Sequence, residues 1–151
     1  DLWSFGHDIE ASWLIDWAAE VLGDEEIKEE IFSIDETLSR RVYEEGRGEK
    51  WLKSERENGV DNLTATWWAQ CEAVEGFLRE WKKSGEEKYL KAAETVFTSI
   101  MEDFIDKREG GEMHSEILPD GTVGDRAQVE LWKGPYHDGR MCIEILRRYG
   151  E

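Results

Sequence analysis

Large apolar residues recur at spacings of three and four along most of this 151-residue chain, a rhythm that admits helices and little else. Residues 8–22 set Ile9, Trp13, Trp17 and Val21 four apart, with Leu14 and Ala18 beside them and Gly23 just past the end as a stop. Asp24 is placed to cap the next helix, whose stripe runs Ile27, Ile31, Ile34, Leu38 and Val42. The glutamates at 25, 26, 29, 30 and 36 give that helix a solvated acidic face. A third helix is expected from about Thr66 to Lys83, with Trp67, Cys71, Val74, Leu78 and Trp81 on one side. Ala73, Gly76 and Phe77 allow close packing on another. Gly85 ends it, and a fourth helix follows from about Glu86 to Lys107. A fifth covers 138–149, with Met141, Ile145 and Tyr149. The two prolines, Pro119 and Pro135, fall outside all five. Residues 46–63, rich in Gly and charge, read as a long loop pinned by Trp51 and Leu52. The stretch 108–125, around Pro119-Asp120-Gly121, reads as a small hairpin. The fold class is all-α.

The helix starts repeat. His7-Asp8-Ile9-Glu10-Ala11 lies over Ala69-Gln70-Cys71-Glu72-Ala73 at an offset of 62 residues, and over His137-Asp138-Gly139-Arg140 at 130. A two-helix unit therefore runs through the chain, and such units bury their faces only by stacking on neighbours. The odd-numbered helices, with the segments leading into them, are rich in Trp, and the even-numbered ones are rich in charge. That division fits the inner and outer layers of an α/α toroid. Residues 1–151 read as one partial domain of about two and a half helical hairpins. An incomplete ring leaves Trp13, Trp17, Ile145 and Tyr149 short of cover, so a homodimer or a missing N-terminal half is expected as partner.

Charge narrows the function. Thirty-six acidic residues against 19 basic give a formal net charge of −17, which repels phosphate backbones and anionic membrane surfaces; neither nucleic acid nor membrane is an expected partner. No run approaches the roughly 20 apolar residues of a membrane span, and no basic stretch leads into an apolar signal core. The two cysteines, Cys71 and Cys142, are too few and too far apart for a disulfide scaffold or a CxxC site, and a cytoplasmic location is expected. Eight Trp, four Tyr and five Phe supply a core. Indole also stacks well on the C–H faces of a pyranose, so the same residues suit a sugar site.

Each odd-numbered helix opens with a dense polar and aromatic cluster: Ser4-Phe5-Gly6-His7-Asp8-Ile9-Glu10-Ala11-Ser12-Trp13, then Thr66-Trp67-Trp68-Ala69-Gln70-Cys71-Glu72-Ala73, then Trp132-Lys133-Gly134-Pro135-Tyr136-His137-Asp138-Gly139-Arg140. In a toroid these three ends meet at one mouth. His7, His137, Glu10, Glu72, Arg140 and several Trp would face one cavity, and paired histidines suit proton transfer in both directions near neutral pH. Each histidine also admits a plain hydrogen-bonding role at its helix end. His7 and Glu10, three apart, match one half of a carboxylate di-metal site, but Glu72 and His137 do not repeat the spacing, so no metal is expected. His114 has no such cluster around it and reads as structural. Trp13 and Trp17 fit ordinary core; Trp68 and Trp132, flanked by polar residues, suit stacking on a sugar.

The segments SFGHDIEASWL, WWAQCEAV and WKGPYHDGRM closely resemble three motifs of the N-acylglucosamine 2-epimerase superfamily, the first and third pointing to its cellobiose 2-epimerase branch. The resemblance covers residues 1–149. It implies the C-terminal portion of an (α/α)6 barrel, with the N-terminal part of the family's fold missing. It also implies reversible conversion of the reducing-end glucose of β-1,4-linked disaccharides to mannose, without a cofactor. By the same resemblance His7 and His137 are the two general acid–base residues. Glu10, Glu72 and Arg140 contact sugar hydroxyls or orient the imidazoles, Trp68 and Trp132 stack on the sugar, and Trp13 belongs to the site wall. Two other readings stay open: a toroid glycoside hydrolase using Glu10 and Glu72, and an inactive sugar-binding fragment.

Overall fold

Apolar runs preceded by an extended residue turn helical, and two of them stop at a left-handed glycine. In the computed structural model, which describes residues 1–150, five α-helices form: α1 (Phe5–Leu22), α2 (Glu25–Arg41), α3 (Trp67–Ser84), α4 (Glu87–Ser99) and α5 (Tyr136–Tyr149). Gly23 and Gly85, at φ 73° and 72°, donate their backbone N–H groups to Ala19 and Trp81 at 3.1 and 2.8 Å, closing α1 and α3. The Asp24 carboxylate caps α2, accepting from the Glu26 and Ile27 amides at 3.0 and 3.3 Å. α1 and α5 begin earlier than their apolar periodicity does, so His7 and His137 stand inside the first turns.

The fourth helix is shorter than expected. α4 gives way at Ile100–Phe104 to a wider π-helical turn, as α2 does at Val42–Gly46. Each π turn ends alike. Arg47 N–H reaches the Val42 carbonyl at 3.0 Å and Ile105 N–H reaches Ile100 at 3.2 Å, and each is followed by one antiparallel bridge, Arg47 to Leu52 and Ile105 to Met113. The hairpin repeat therefore extends into details that hydrophobic patterning does not carry.

α1, α3 and α5 pack side by side in one layer, with α2 laid on α1 and α4 laid on α3. α3 is central and buried along most of its length. Its contact with α1 depends on Gly76, where a Cβ would stand 2.4 Å from Ile9 Cγ1. Ile9, Phe77, Tyr89, Val96, Ile100 and Phe104 build the core between the layers.

Two expectations need correction. The α2 stripe is only partly its buried face: Val42 is fully buried and Ile31 and Leu38 half-buried, but Ile27 and Ile34 are exposed, and within the helix Asp35 and Ser39 are the buried residues. Asp35 turns inward because Lys83 of α3 meets it at 3.0 Å, beside Asp16 of α1. Burial pushes the Asp35 carboxyl up to about 7 against the pull of Lys83. The open flanks also differ from those expected. Trp13 is fully covered and Trp17, Ile145 and Tyr149 are half-buried, while Leu22, Ile27, Ile143 and Leu146 face outward.

The stretch 46–63 is more ordered than a loop. β2 (Glu55–Glu57) and β3 (Val60–Asn62) form a hairpin through Asn58 and Gly59, both at positive φ, and β1 (Leu2–Ser4) pairs antiparallel with β2. This small sheet fixes the backbone just before α1. In the second irregular region the Pro119-Asp120-Gly121 turn forms, with Leu118 N–H bonded to the Thr122 carbonyl at 2.8 Å. The main partner of β5 (Glu116–Ile117) is β4 (Ala65–Thr66), the pair that sets the start of α3. None of the described helices is long and apolar enough to cross a membrane.

Candidate active site

The N-terminal ends of α1, α3 and α5 meet, because their first two turns carry groups that bond across the layer. Glu72, on the second turn of α3, is the hub. Its side chain is 2 % exposed and its two oxygens take donors from both neighbouring helices. Oε2 accepts from Trp13 Nε1 at 2.9 Å; Oε1 lies 2.6 Å from His137 Nδ1 and accepts from Arg140 Nη2 at 2.7 Å. The same Arg140 nitrogen donates to Glu10 Oε1 at 2.6 Å. Arg140 therefore joins all three helices. Burial opposes its charge, yet the bonds to Glu10 and Glu72 outweigh that and hold the guanidinium above its ordinary pKa. Its planar head also lies 4.8 Å from the Trp13 ring and 4.3 Å from Tyr136, whose hydroxyl it contacts.

A carboxylate can only accept, so the hydrogen on His137 sits at Nδ1 and its Nε2 is left for other work. Trp67 meets the ring edge-on at 6.3 Å, and Tyr136 does so at 4.8 Å. His7 stands across from it on the first turn of α1, its Nδ1 2.6 Å from Ser4 Oγ. Trp68 packs against both. Its ring centre is 4.6 Å from that of His7 and 5.6 Å from that of His137, both at tilts near 45°. The two imidazoles are thus no farther apart than those two distances combined. Gly6 makes this possible, since a Cβ there would lie 2.5 Å from Trp68 Cη2.

Of the eight residues singled out from sequence, His7, Glu10, Trp13, Trp68, Glu72, His137 and Arg140 come together in this cluster. Trp13 lies beneath the site, fully buried, and serves it through its N–H bond to Glu72. It packs near Trp17, 6.3 Å between centres, as the core reading allowed. Trp132 stands apart: it is 81 % exposed, in the loop before α5, and enters none of the bonds of the cluster. That loop is tied down next door, where the fully buried Lys133 pairs with Glu112 and lies 5.0 Å over the Trp67 ring. His114 bonds the Phe104 carbonyl through its backbone, away from the cluster. Cys71 and Cys142 are free thiols. Ser4, Trp67 and Tyr136 also contact the cluster, and the sequence motifs alone assign them no part. For Tyr136 the signal was present in its spacing of four from Arg140 on one helix face.

Glu10, Glu72 and His137 offer ligand atoms within 4.8 Å of one another, a set that could hold a divalent cation. The guanidinium of Arg140 already bonds both carboxylates, so a positive charge fills that role. Both carboxylates are also committed as acceptors, which leaves Glu72 poorly placed as a nucleophile or general acid.

Comparison with known proteins places the chain among sugar epimerases by sequence and fold. The family model described as N-acylglucosamine 2-epimerase (GlcNAc 2-epimerase) matches residues 3–137. A cellobiose 2-epimerase of Eubacterium cellulosolvens is 45% identical over 147 residues, which cover 97% of this chain and 36% of that protein. One of Ruminococcus albus is 44% identical over 149 residues, covering 98% and 38%. The crystal structure of a sugar epimerase from a ruminal bacterium superposes with a TM-score of 0.97 at 43% identity, over 100% of this chain and 39% of that one. The helical hairpins are thus a portion of an α/α toroid, and the chain spans less than two fifths of the length of these relatives.

Proposed function

The chain belongs to the N-acylglucosamine 2-epimerase family, and we propose that its site inverts C2 of the reducing-end glucose of a β-1,4-linked disaccharide by proton transfer through His7 and His137. The observation that carries this is the pair of imidazoles disposed about one Trp68 ring. In the ring-opened sugar the C1 carbonyl acidifies the C2 hydrogen, so the step needs a base and an acid and no cofactor. One histidine takes the C2 proton at Nε2, giving a cis-enediolate. After rotation about C2–C3 the other returns a proton to the opposite face. Glu72 keeps His137 in the working tautomer, Arg140 holds Glu72 and Glu10 in place, and Trp68 offers the sugar an apolar face. Trp132, on its exposed loop, is proposed to stack on the sugar from outside. The chain is further proposed to act with its open flanks covered by a second copy or by the part of the family fold that it does not contain.

Cellobiose incubated with this chain separates the readings. Epimerisation yields glucosyl-mannose, hydrolysis by Glu10 and Glu72 yields free glucose, and a binding fragment yields neither. In heavy water the mannose product should carry deuterium at C2, and His7→Ala or His137→Ala should each slow turnover at least about a hundredfold. Full retention of the original C2 hydrogen, or near-normal turnover in either variant, overturns the two-histidine route.

A further inference from the structure

We propose that Ser4 is the positioning residue of His7: its Oγ accepts the Nδ1–H, leaving Nε2 as the nitrogen that exchanges a proton. The inference rests on the proton-transfer reading of the site and assigns a part to a residue outside it. Ser4 Oγ lies 2.6 Å from His7 Nδ1. Ser4 also occupies the N-cap position of α1, in the extended conformation a cap requires, yet its side chain makes no cap bond. Asp24 at the same position of α2 makes two. A serine N-cap usually stabilises its helix by bonding a free amide, so a hydroxyl turned away from those amides toward an imidazole gives up that stabilisation for another contact.

The backbone around Ser4 is suited to hold such a contact still. Ser4 is the last residue of β1, paired with Glu55, and the next residue begins α1. Trp3 beside it is clamped by the Arg41 guanidinium 3.8 Å over its ring. Trp68 packs against the His7 ring from α3, so hydroxyl and indole fix the imidazole from two directions.

The two histidines then match in tautomer and differ in partner. His137 gives its Nδ1–H to the Glu72 carboxylate, whereas His7 gives the same hydrogen to a neutral hydroxyl. A neutral histidine side chain in water favours the hydrogen on Nε2, which would leave no lone pair there to take a proton. An acceptor at Nδ1 reverses that preference. Through the cycle Ser4 gains and loses nothing: His7 takes a proton at Nε2, becomes imidazolium and gives it up, with the Nδ1–H bond kept throughout.

The test reads the ring nitrogens directly and needs no turnover. Long-range proton–nitrogen NMR near pH 8 on the 151-residue chain resolves a set of only three histidines. His7 is expected with Nδ1 protonated in the parent, mainly with Nε2 protonated in Ser4→Ala, and again with Nδ1 protonated in Ser4→Thr, which keeps the hydroxyl. His137 should stay protonated at Nδ1 in all three, which reports that the helix ends remain assembled. A parent His7 protonated at Nε2, or a Ser4→Ala spectrum unchanged at His7, overturns the proposal. With cellobiose as substrate, Ser4→Ala should lower kcat about tenfold or more at little changed KM, and Ser4→Thr should restore it. A chain that leaves cellobiose untouched, both alone and with the rest of the family fold supplied as a partner chain, defeats the epimerase reading and leaves the tautomer result to decide for Ser4.

Discussion

Replacing Arg140 with methionine removes the charge that joins the three inner helices while keeping most of its length. Arg140 is 14 % exposed at its side chain and bonds Glu72, 2 % exposed, and Glu10, 17 % exposed. Removing one partner of a buried ion pair costs about 3–5 kcal/mol, because the remaining charge stays buried without compensation. Glu10 can swing toward water, and Glu72 keeps the Trp13 N–H and the His137 Nδ1–H. Those retained contacts place the expected loss near the lower end, about 3 kcal/mol. For a domain of this size 1 kcal/mol moves Tm by about 2–4 °C, so Arg140→Met should melt roughly 6–12 °C below the parent. Urea denaturation of Arg140→Met, Glu72→Gln and the double variant completes the test as a cycle. The double variant should be more stable than Arg140→Met, since no carboxylate is then left uncompensated at the hub. An Arg140→Met chain within about 0.5 kcal/mol of the parent, or a double variant no better than the single, would refute the view of Arg140 as the tie between the helices.

Gly6→Ala should cost about 1–3 kcal/mol in urea denaturation, because its Cβ meets Trp68 Cη2 at 2.5 Å and the indole must move; unchanged stability would show that Trp68 is not held against α1. Burial, with the Glu144 carboxylate beside it, pushes the Glu75 carboxyl from 4.5 up to about 7 in the folded chain. Its contribution is therefore complete below about pH 4.5 and lost as pH rises through 7, so Glu75→Gln should stabilise the chain by about 1–3 kcal/mol at pH 8 and by little at pH 5, and equal effects at both would be contrary to this. With Leu22 and Ile27 open on one flank and Ile143 and Leu146 on the other, light scattering after size exclusion should report a mass above the monomer at micromolar concentration; a cooperatively melting monomer that binds no hydrophobic dye would contradict it.

The sequence was most legible where local rules and the repeat agreed. Gly23, Asp24 and Gly85 mark helix ends in the structure because each acts on its own backbone neighbours. His7, Glu72 and His137 could be brought together on paper because three similar helix starts in a stacked repeat must share one end. Long-range complementarity was not legible. Asp35 reads as one more acid on a solvated face until Lys83, 48 residues away, is seen beside it. The flanks separate Trp13, fully buried, from Trp132, exposed in a loop, but they do not separate Trp132 from Trp68, the one of the two that packs on the histidines. The strands at 55–57 and 60–62 are short and charged, so they show no alternation. The Asn58-Gly59 pair between them was the one local sign of a hairpin.

The site also has a charge logic that single residues do not reveal. In a chain of net charge −17, the cluster places one guanidinium between two carboxylates, which leaves one negative charge uncompensated among the groups bonded there. In the proposed route the two histidines hold one proton between them, one as base and the other as acid. That single imidazolium charge balances the cluster whichever histidine carries it. His137 bonds Glu72 directly, while His7 faces the same indole from α1 with only a hydroxyl at its Nδ1. The two ends of the relay thus differ in partner while sharing one charge balance. The proposed epimerisation, run in both directions, needs both histidines able to serve as base, and bonded groups whose charges sum to zero with either one protonated meet that need.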